Sequence, residues 1–217
     1  MAQRDEVSYL IERGRDLEAA VAAKTHGGRR RMEGSEQLEV IVPMVVDVIG
    51  SIRPDQLANP TPCEGWTIRD LLNHMIGGAT AFAAGFRGEA LPDMSGPMPD
   101  LAGDDPAAAF NAAIAAFAEA TARPGALDRV LETPIGAVPG REFLRFVALD
   151  GLVHGWDLTR ATGQTYAPDD EIVAVVEDFA VGFIAPALRN VAFGNEVESS
   201  ATATRIDRLA AFTGRQP

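Results

Sequence analysis

The sequence predicts an all-α protein, most simply an antiparallel helix bundle. Strand signals are scarce, apolar residues recur at helical spacing through several long segments, and Pro/Gly-rich loops separate those segments. At 217 residues the chain suffices for one domain with a full core, and 47% hydrophobic against 23% charged residues is a globular composition.

In chain order, "VSYLIERGRDLEAAVAA" has helical spacing at Val7, Leu10, Ile11, Leu17 and Val21, interrupted by Gly14. "KTHGGRRRMEGS" follows as a glycine-rich, charged linker, so residues 1–36 read as an extension and 37–217 as the main domain. "SEQLEVIVPMVVDVIGSI" offers Ser35 as an N-cap, with Pro43 kinking the helix or delaying its start; its Val/Ile richness equally suits a strand. After the turn-rich "PTPCEGW", Thr67 caps a second, long helix whose Asp70 favours the positive dipole end. Ile68, Leu72, Met75, Ala79, Phe82 and Phe86 form its seam.

Pro106 opens an alanine-rich third helix, and "RPGALDRVLETPIGAVPG" holds a short extended piece or hairpin. A fourth helix is expected from about Arg141 to Thr162, capped by Gly163. A fifth is expected over "PDDEIVAVVEDFAVGFIAPALRNV", and a short one in "TRIDRLAAFTGRQP".

A net charge of −12 argues against a phosphate-backbone ligand; the one basic run, Arg29–Arg31, suits a solvated linker. No apolar run approaches bilayer length, and the N-terminus is too charged for a signal peptide, so a cytoplasmic protein without membrane contact is expected. The single cysteine, Cys63, excludes an intrachain disulfide and a cysteine-rich zinc module.

The unusual feature is "DGLVHGWDL". Stepping ~100° per residue, Asp150, His154 and Asp157 fall within roughly 40° of the centre of the face defined by Phe143, Phe146, Val147, Leu158 and Ala161. Burying an unpaired carboxylate costs several kcal/mol, so something compensates. Three arrangements can: mutual pairing with His154 protonated, helped by an arginine such as Arg145 or Arg160; a metal-free His–Asp dyad; or a divalent cation shared by Asp150 and His154, which stand one turn apart. Of the other histidines, His26 lies in the linker and His74 flanks the seam of the second helix beside Gly78 and Ala81. Two imidazoles and a carboxylate make a mononuclear site with open positions, and Asp157 is then either the carboxylate ligand or the group orienting a ligating imidazole. Cys63 and Glu64 in the loop, Trp66 and Trp156 as packing or groove residues, and Arg69 and Arg160 as partners of an anion are further candidates, each with a plain packing or solvation alternative.

"TPCEGWTIRDLLNHM", "LDGLVHGWDLTRATGQ" and the ending "DRLAAFTGR" resemble the actinobacterial DinB-like metal-binding proteins, related to the metal-binding domain of mycothiol-dependent maleylpyruvate isomerase. The resemblance covers about residues 37–217 and implies a DinB-like four-helix bundle with extra N- and C-terminal segments. It further implies a divalent metal, usually zinc with nickel or manganese as alternatives, on His74, Asp150 and His154. The isomerase has Glu where this chain has Asp150, one methylene shorter, which keeps Asp157 open as a substitute. The chemistry implied is thiol transfer or isomerisation between a low-molecular-weight thiol such as mycothiol and an electrophilic substrate. A non-catalytic metal- or ligand-binding module and a bundle stabilised by an internal ion pair are the competing expectations.

Overall fold

The computed structural model describes residues 32–90, 99–133, 136–189 and 192–217. The expected N-terminal helix, His26 and Arg29–Arg31 lie outside the described residues.

Four long helices form the bundle: α1 (Gly34–Gly50), α2 (Ile68–Arg87), α3 (Pro106–Thr121) and α4 (Gly140–Thr162). Two shorter ones, α5 (Asp170–Phe183) and α6 (Arg205–Phe212), pack on the α4 side. Before α4, β1 (Val130–Thr133) and β2 (Gly136–Pro139) make the expected hairpin, pairing Val130 with Pro139 and Thr133 with Gly136. Among the described residues no helix is long and apolar enough to cross a membrane.

The direction of the helices follows from their contacts. Gly34 abuts Leu144, Gly151 faces Ile41, and Gln164 Nε2 donates to the Val48 carbonyl at 3.1 Å, so α1 and α4 run parallel. The Asn73 side-chain oxygen accepts from the Leu101 and Ala102 amides just ahead of α3, and Phe86 meets Phe117 near both C-termini, so α2 and α3 also run parallel. The two pairs oppose each other: His74 lies beside His154 while Phe86 lies beside Phe143. Parallel neighbours require the chain to return the length of a helix, ~30 Å for twenty residues, which explains the long α2–α3 connection. Buried Asn73 ties the end of that crossover to α2.

Several termini form as their sequences dictate. Thr67 and Asp70 make a reciprocal capping box at the start of α2. Asp105 and Pro106 open α3, and Gly163, at φ 74°, closes α4 in the left-handed region that glycine enters without a Cβ penalty. Thr204 and Asp207 repeat the capping box on α6.

Two expectations need correction. Ser35 is not the cap of α1; the helix begins at Gly34, behind Glu33, whose amide donates to Glu36 at 2.9 Å. The reason is tertiary: a Cβ on Gly34 would lie 2.6 Å from that of Leu144, so the first turn is set by close approach to α4. Pro43 sits within α1 on its exposed side and does not end it. The fifth helix also stops sooner than its apolar pattern suggests. It ends at Phe183, and Pro186 begins a separate 3-10 turn, Pro186–Leu188.

The seam of α2 is buried as expected at Ile68, Leu72, Met75, Ala79 and Phe86, with Phe82 half-buried. At the far end Phe82 and Phe86 meet Phe143, and Phe86 also meets Phe117 of α3, through edge-on and tilted ring contacts. Because Thr67 organises the end of α2 that carries His74, Thr67→Ala is expected to cost about 1 kcal/mol of stability, the usual loss for a hydroxyl N-cap. Urea unfolding monitored by circular dichroism checks this, with an unchanged denaturant dependence showing that the same cooperative unit unfolds.

Candidate metal centre

The candidate site is assembled by α4. Asp150, His154 and Asp157 repeat at four and three residues, so all three leave the same side of the helix. They differ in depth: Asp157 is 0% exposed at its side chain, His154 8% and Asp150 28%. His154 stands between the two acids, its Nε2 3.2 Å from Asp150 Oδ1 and its Nδ1 2.9 Å from Asp157 Oδ2. From α2, His74 brings its Nε2 to 3.8 Å from Asp150 Oδ1, and its ring lies edge-on to His154 with centroids 5.1 Å apart. The structure therefore brings His74, Asp150 and His154 together, with one ligand-type atom from each inside a mutual distance of 4.8 Å.

Asp157 faces away from this cluster into a separate set of partners. Its carboxylate accepts from the Cys63 thiol at 3.2 Å and from Arg215, with Nε 3.3 Å from Oδ1 and Nη2 3.0 Å from Oδ2. Arg215 also approaches Cys63 Sγ at 3.4 Å. The loop carrying Cys63 is held in place by Gln56 and Asn59, whose side-chain amides donate to the Thr162 and Ala161 carbonyls at the end of α4. Those are carbonyls that a helix C-terminus leaves unsatisfied.

Cys63, His154 and Asp157 also offer ligand-type atoms close together. A cation there would face the Arg215 guanidinium, which already neutralises Asp157 and touches the thiol. Among the described residues, Asp150 on the other side is ion-paired with His74 and His154 and with no arginine or lysine. Charge separates the two groups: the Nε2 side of His154 is suited to a cation and the Nδ1 side is occupied by one.

The protonation equilibria follow the same logic. Burial alone pushes the Asp150 carboxyl up, but His154 and then His74 pull it well below the usual carboxylate range. Burial disfavours the imidazolium of His154, yet Asp150 and then Asp157 hold its pKa well above the ordinary imidazole value. Asp157 is likewise lowered against its burial by His154 and Arg215.

The arginines anticipated as partners are elsewhere. Arg145 bonds Glu142 at 3.0 Å and lies over the Phe179 ring; Arg160 lies over Trp156. Arg69 is engaged by Asp100 and the Gly103 carbonyl. Trp156 is core and donates to Asp207 at 2.8 Å, whereas Trp66 is 37% exposed and tilts against His74. Glu64 is exposed on the loop. The residue missed from sequence is Arg215, whose only signal was its place in the quoted C-terminal motif.

A cavity of about 630 Å³ opens from this cluster into the bundle, between the α1–α4 and α2–α3 pairs. His74 and Asp150 form part of its wall; Phe82, Phe110, Phe117 and Val147 form much of the rest. Fold and site together define a helical bundle of the DinB type, with two imidazoles and a carboxylate converging from facing helices at one end of an internal cavity. Residues 44–159 match the family described as the mycothiol maleylpyruvate isomerase N-terminal domain, and the chain belongs to that family. Two uncharacterized proteins of Mycobacterium tuberculosis, from strains CDC 1551 / Oshkosh and ATCC 25618 / H37Rv, are each 35% identical over 174 residues, covering 77% of this chain and 90% of the relative. No solved structure matches the chain significantly.

The Arg215–Asp157 pair is expected to hold the site together. Arg215→Ala leaves a fully buried carboxylate short of its cation and should cost about 3 kcal/mol of stability. Arg215→Lys, which keeps the charge without the two-pronged geometry, should recover part of that loss. Equilibrium unfolding in urea of both variants is the check; equal stability of Arg215→Ala and wild type would show the pair to be dispensable.

Proposed function

We propose that this chain binds a divalent metal, zinc before nickel or manganese, through His74, Asp150 and His154, and uses it in thiol-dependent transfer or isomerisation. The co-substrate would be a low-molecular-weight thiol of the mycothiol type. The observation carrying the proposal is the convergence of the His74 and His154 Nε2 atoms on Asp150 from opposed helices. Bonds of about 2.0–2.2 Å around a tetrahedral ion imply ligand–ligand edges of ~3.4 Å. The two separations to Asp150 Oδ1, 3.2 and 3.8 Å, bracket that edge, so the shorter Asp150 side chain still fits the donor set. Family membership supports the thiol, because the family is named for a mycothiol-dependent isomerase.

When bound, such an ion with three protein ligands supplies an open position at which a thiol is held as thiolate. The protein's own groups set the geometry. Asp157 accepts the Nδ1–H of His154, leaving the Nε2 lone pair toward Asp150. His154 and Arg215 keep the Asp157 carboxylate ionised, and Arg215 and the Cys63 thiol donate to it and aim it. His74 retains 31% side-chain exposure beside Trp66, so the centre is reachable from solvent as well as from the cavity.

Elemental analysis of protein purified without chelator tests the proposal. One equivalent of metal is expected in wild type and a loss of at least tenfold in affinity in His74→Ala and His154→Ala. Wild type that takes up no zinc, nickel or manganese would instead favour the ion-pair reading, in which Asp150 and Asp157 simply flank a charged His154. Metal without thiol-dependent turnover would leave a binding module.

Metal affinity should also depend on pH. The His154 pKa is raised in the metal-free protein, so below it the ion must displace a proton from Nε2. Affinity is then expected to rise with pH above the ordinary imidazole range and to level off once His154 is neutral. The slope should approach ~1.4 kcal/mol, or tenfold, per pH unit. Calorimetric zinc titrations in buffers of different ionisation enthalpy measure the proton released; zero release between pH 6 and 7 would contradict this.

A further inference from the structure

The cavity beside the cluster has a chemical character that family membership does not supply. Beyond His74 and Asp150 its wall is built mainly from aromatic and aliphatic side chains, with Phe82, Phe110, Ile114, Phe117, Leu144 and Val147 at its centre. Its other charged lining residue is an acid, Glu39, exposed on α1; among the described residues no Lys or Arg contributes to the wall. Exposed Glu39 on α1 and Ala118 on α3 place the opening between those helices. The chain as a whole carries −12. A volume of about 630 Å³ falls within the ~300–1,000 Å³ range of small-molecule pockets.

These features set the sign of the ligand. A dicarboxylate, such as the maleylpyruvate of the family's name, could place at most one carboxylate at a metal. Its second would lie against phenyl rings beside Asp150 and Glu39 with no cation to meet it. Desolvating such a charge costs several kcal/mol without return. An uncharged aryl or branched alkyl body instead gains from every apolar surface it covers.

We infer that the cavity binds an uncharged, apolar small molecule, aryl or branched alkyl, whose one polar group points to the His74–Asp150 end. Its role as the substrate that meets the thiol rests on the function proposed above; its binding does not, because the cavity is lined by the chain itself. The ligand class thereby differs from the one that the family's name suggests.

The test is a displacement assay on the full chain with N-phenyl-1-naphthylamine as fluorescent reporter. The competitors are neutral 2-acetonaphthone and anionic 2-naphthalenesulfonate, two naphthyl compounds of similar size, the anion being a weak metal ligand. Saturable reporter binding near one equivalent is expected, with displacement by the ketone at least tenfold tighter than by the sulfonate. Val147→Trp should weaken reporter binding at least tenfold by filling the cavity. Glu39→Arg, an exposed change that leaves the core alone, should narrow the ketone–sulfonate gap at least threefold, which keeps the inference testable if Val147→Trp fails to fold. Equal displacement by both competitors, no saturable binding, or binding indifferent to both variants overturns it. Running the assay with and without zinc separates the two proposals. Zinc uptake without ketone binding removes the cavity ligand alone, and ketone binding without zinc uptake removes the metal function alone.

Discussion

A carboxylate with no solvent contact, Asp157, dictates much of the architecture around it. Placed mid-helix on a face surrounded by core, it requires compensation that α4 alone does not provide. His154 supplies one contact from the preceding turn, Cys63 another from the α1–α2 loop, and Arg215 the counter-charge from beyond α6. Two further chain segments therefore meet α4 at one side chain, and neither reaches it unless its own element is docked. Gln56 and Asn59 anchor the loop on the end of α4, and Thr204 with Asp207 caps the helix that precedes Arg215. A buried ion pair of this kind adds little net stability over an apolar replacement. Its consequence here is geometric: it fixes which nitrogen of His154 faces Asp150.

That fixed imidazole divides the interior into two electrostatic compartments. On the Nδ1 side, Asp157 is matched by Arg215, and the thiol of Cys63 is enclosed in the same network. On the Nε2 side, the ion pairs of Asp150 among the described residues are with His74 and His154, and it holds His154 toward its charged form. A divalent ion bound as proposed would replace protons on that side and leave the Arg215–Asp157 pair in place. The parallel pairing of α1 with α4 and of α2 with α3 makes this possible, since it leaves the two pairs to oppose each other across a gap. His74 and Asp150 close one end of the gap, and the phenylalanines of α2, α3 and α4 surround the other.

Local physics made much of this legible in the sequence. The capping box of Thr67 and Asp70, Pro106 after Asp105, and Gly163 at the end of α4 are interactions between near neighbours, so their residue types announce them. The α4 cluster was visible because helical periodicity places Asp150, His154 and Asp157 on a face that should be apolar. Long-range docking was not legible. Gly34 starts α1 because Leu144 presses on it, and periodicity within α1 carries no trace of that contact. Arg145 and Arg160 were the arginines nearest in sequence to the cluster, but each is drawn to an aromatic ring and a different surface. Arg215 succeeds because the fold returns the C-terminus to the Cys63 loop, a closure fifty-eight residues from Asp157 that spacing along one helix does not encode.

The same reasoning explains why site and cavity carry different kinds of information. The donor set is a matter of residue identity at a few positions, so it can be read from two short motifs and shared across a family. The cavity is lined by four helices, each contributing side chains whose ordinary reading is core packing; Phe110, Ile114 and Phe117 on the alanine-rich α3 look like any buried stripe until α1 fails to fill the space opposite them. What distinguishes this wall from a packed core is that no partner layer covers it among the described residues, together with Asp150 and His74 at its margin. A core that stops short of closing around two imidazoles and a carboxylate leaves room for something other than protein. Its lining favours an apolar occupant for the same reason that the donor set would favour a cation: each leaves the other kind of ligand without compensating contacts.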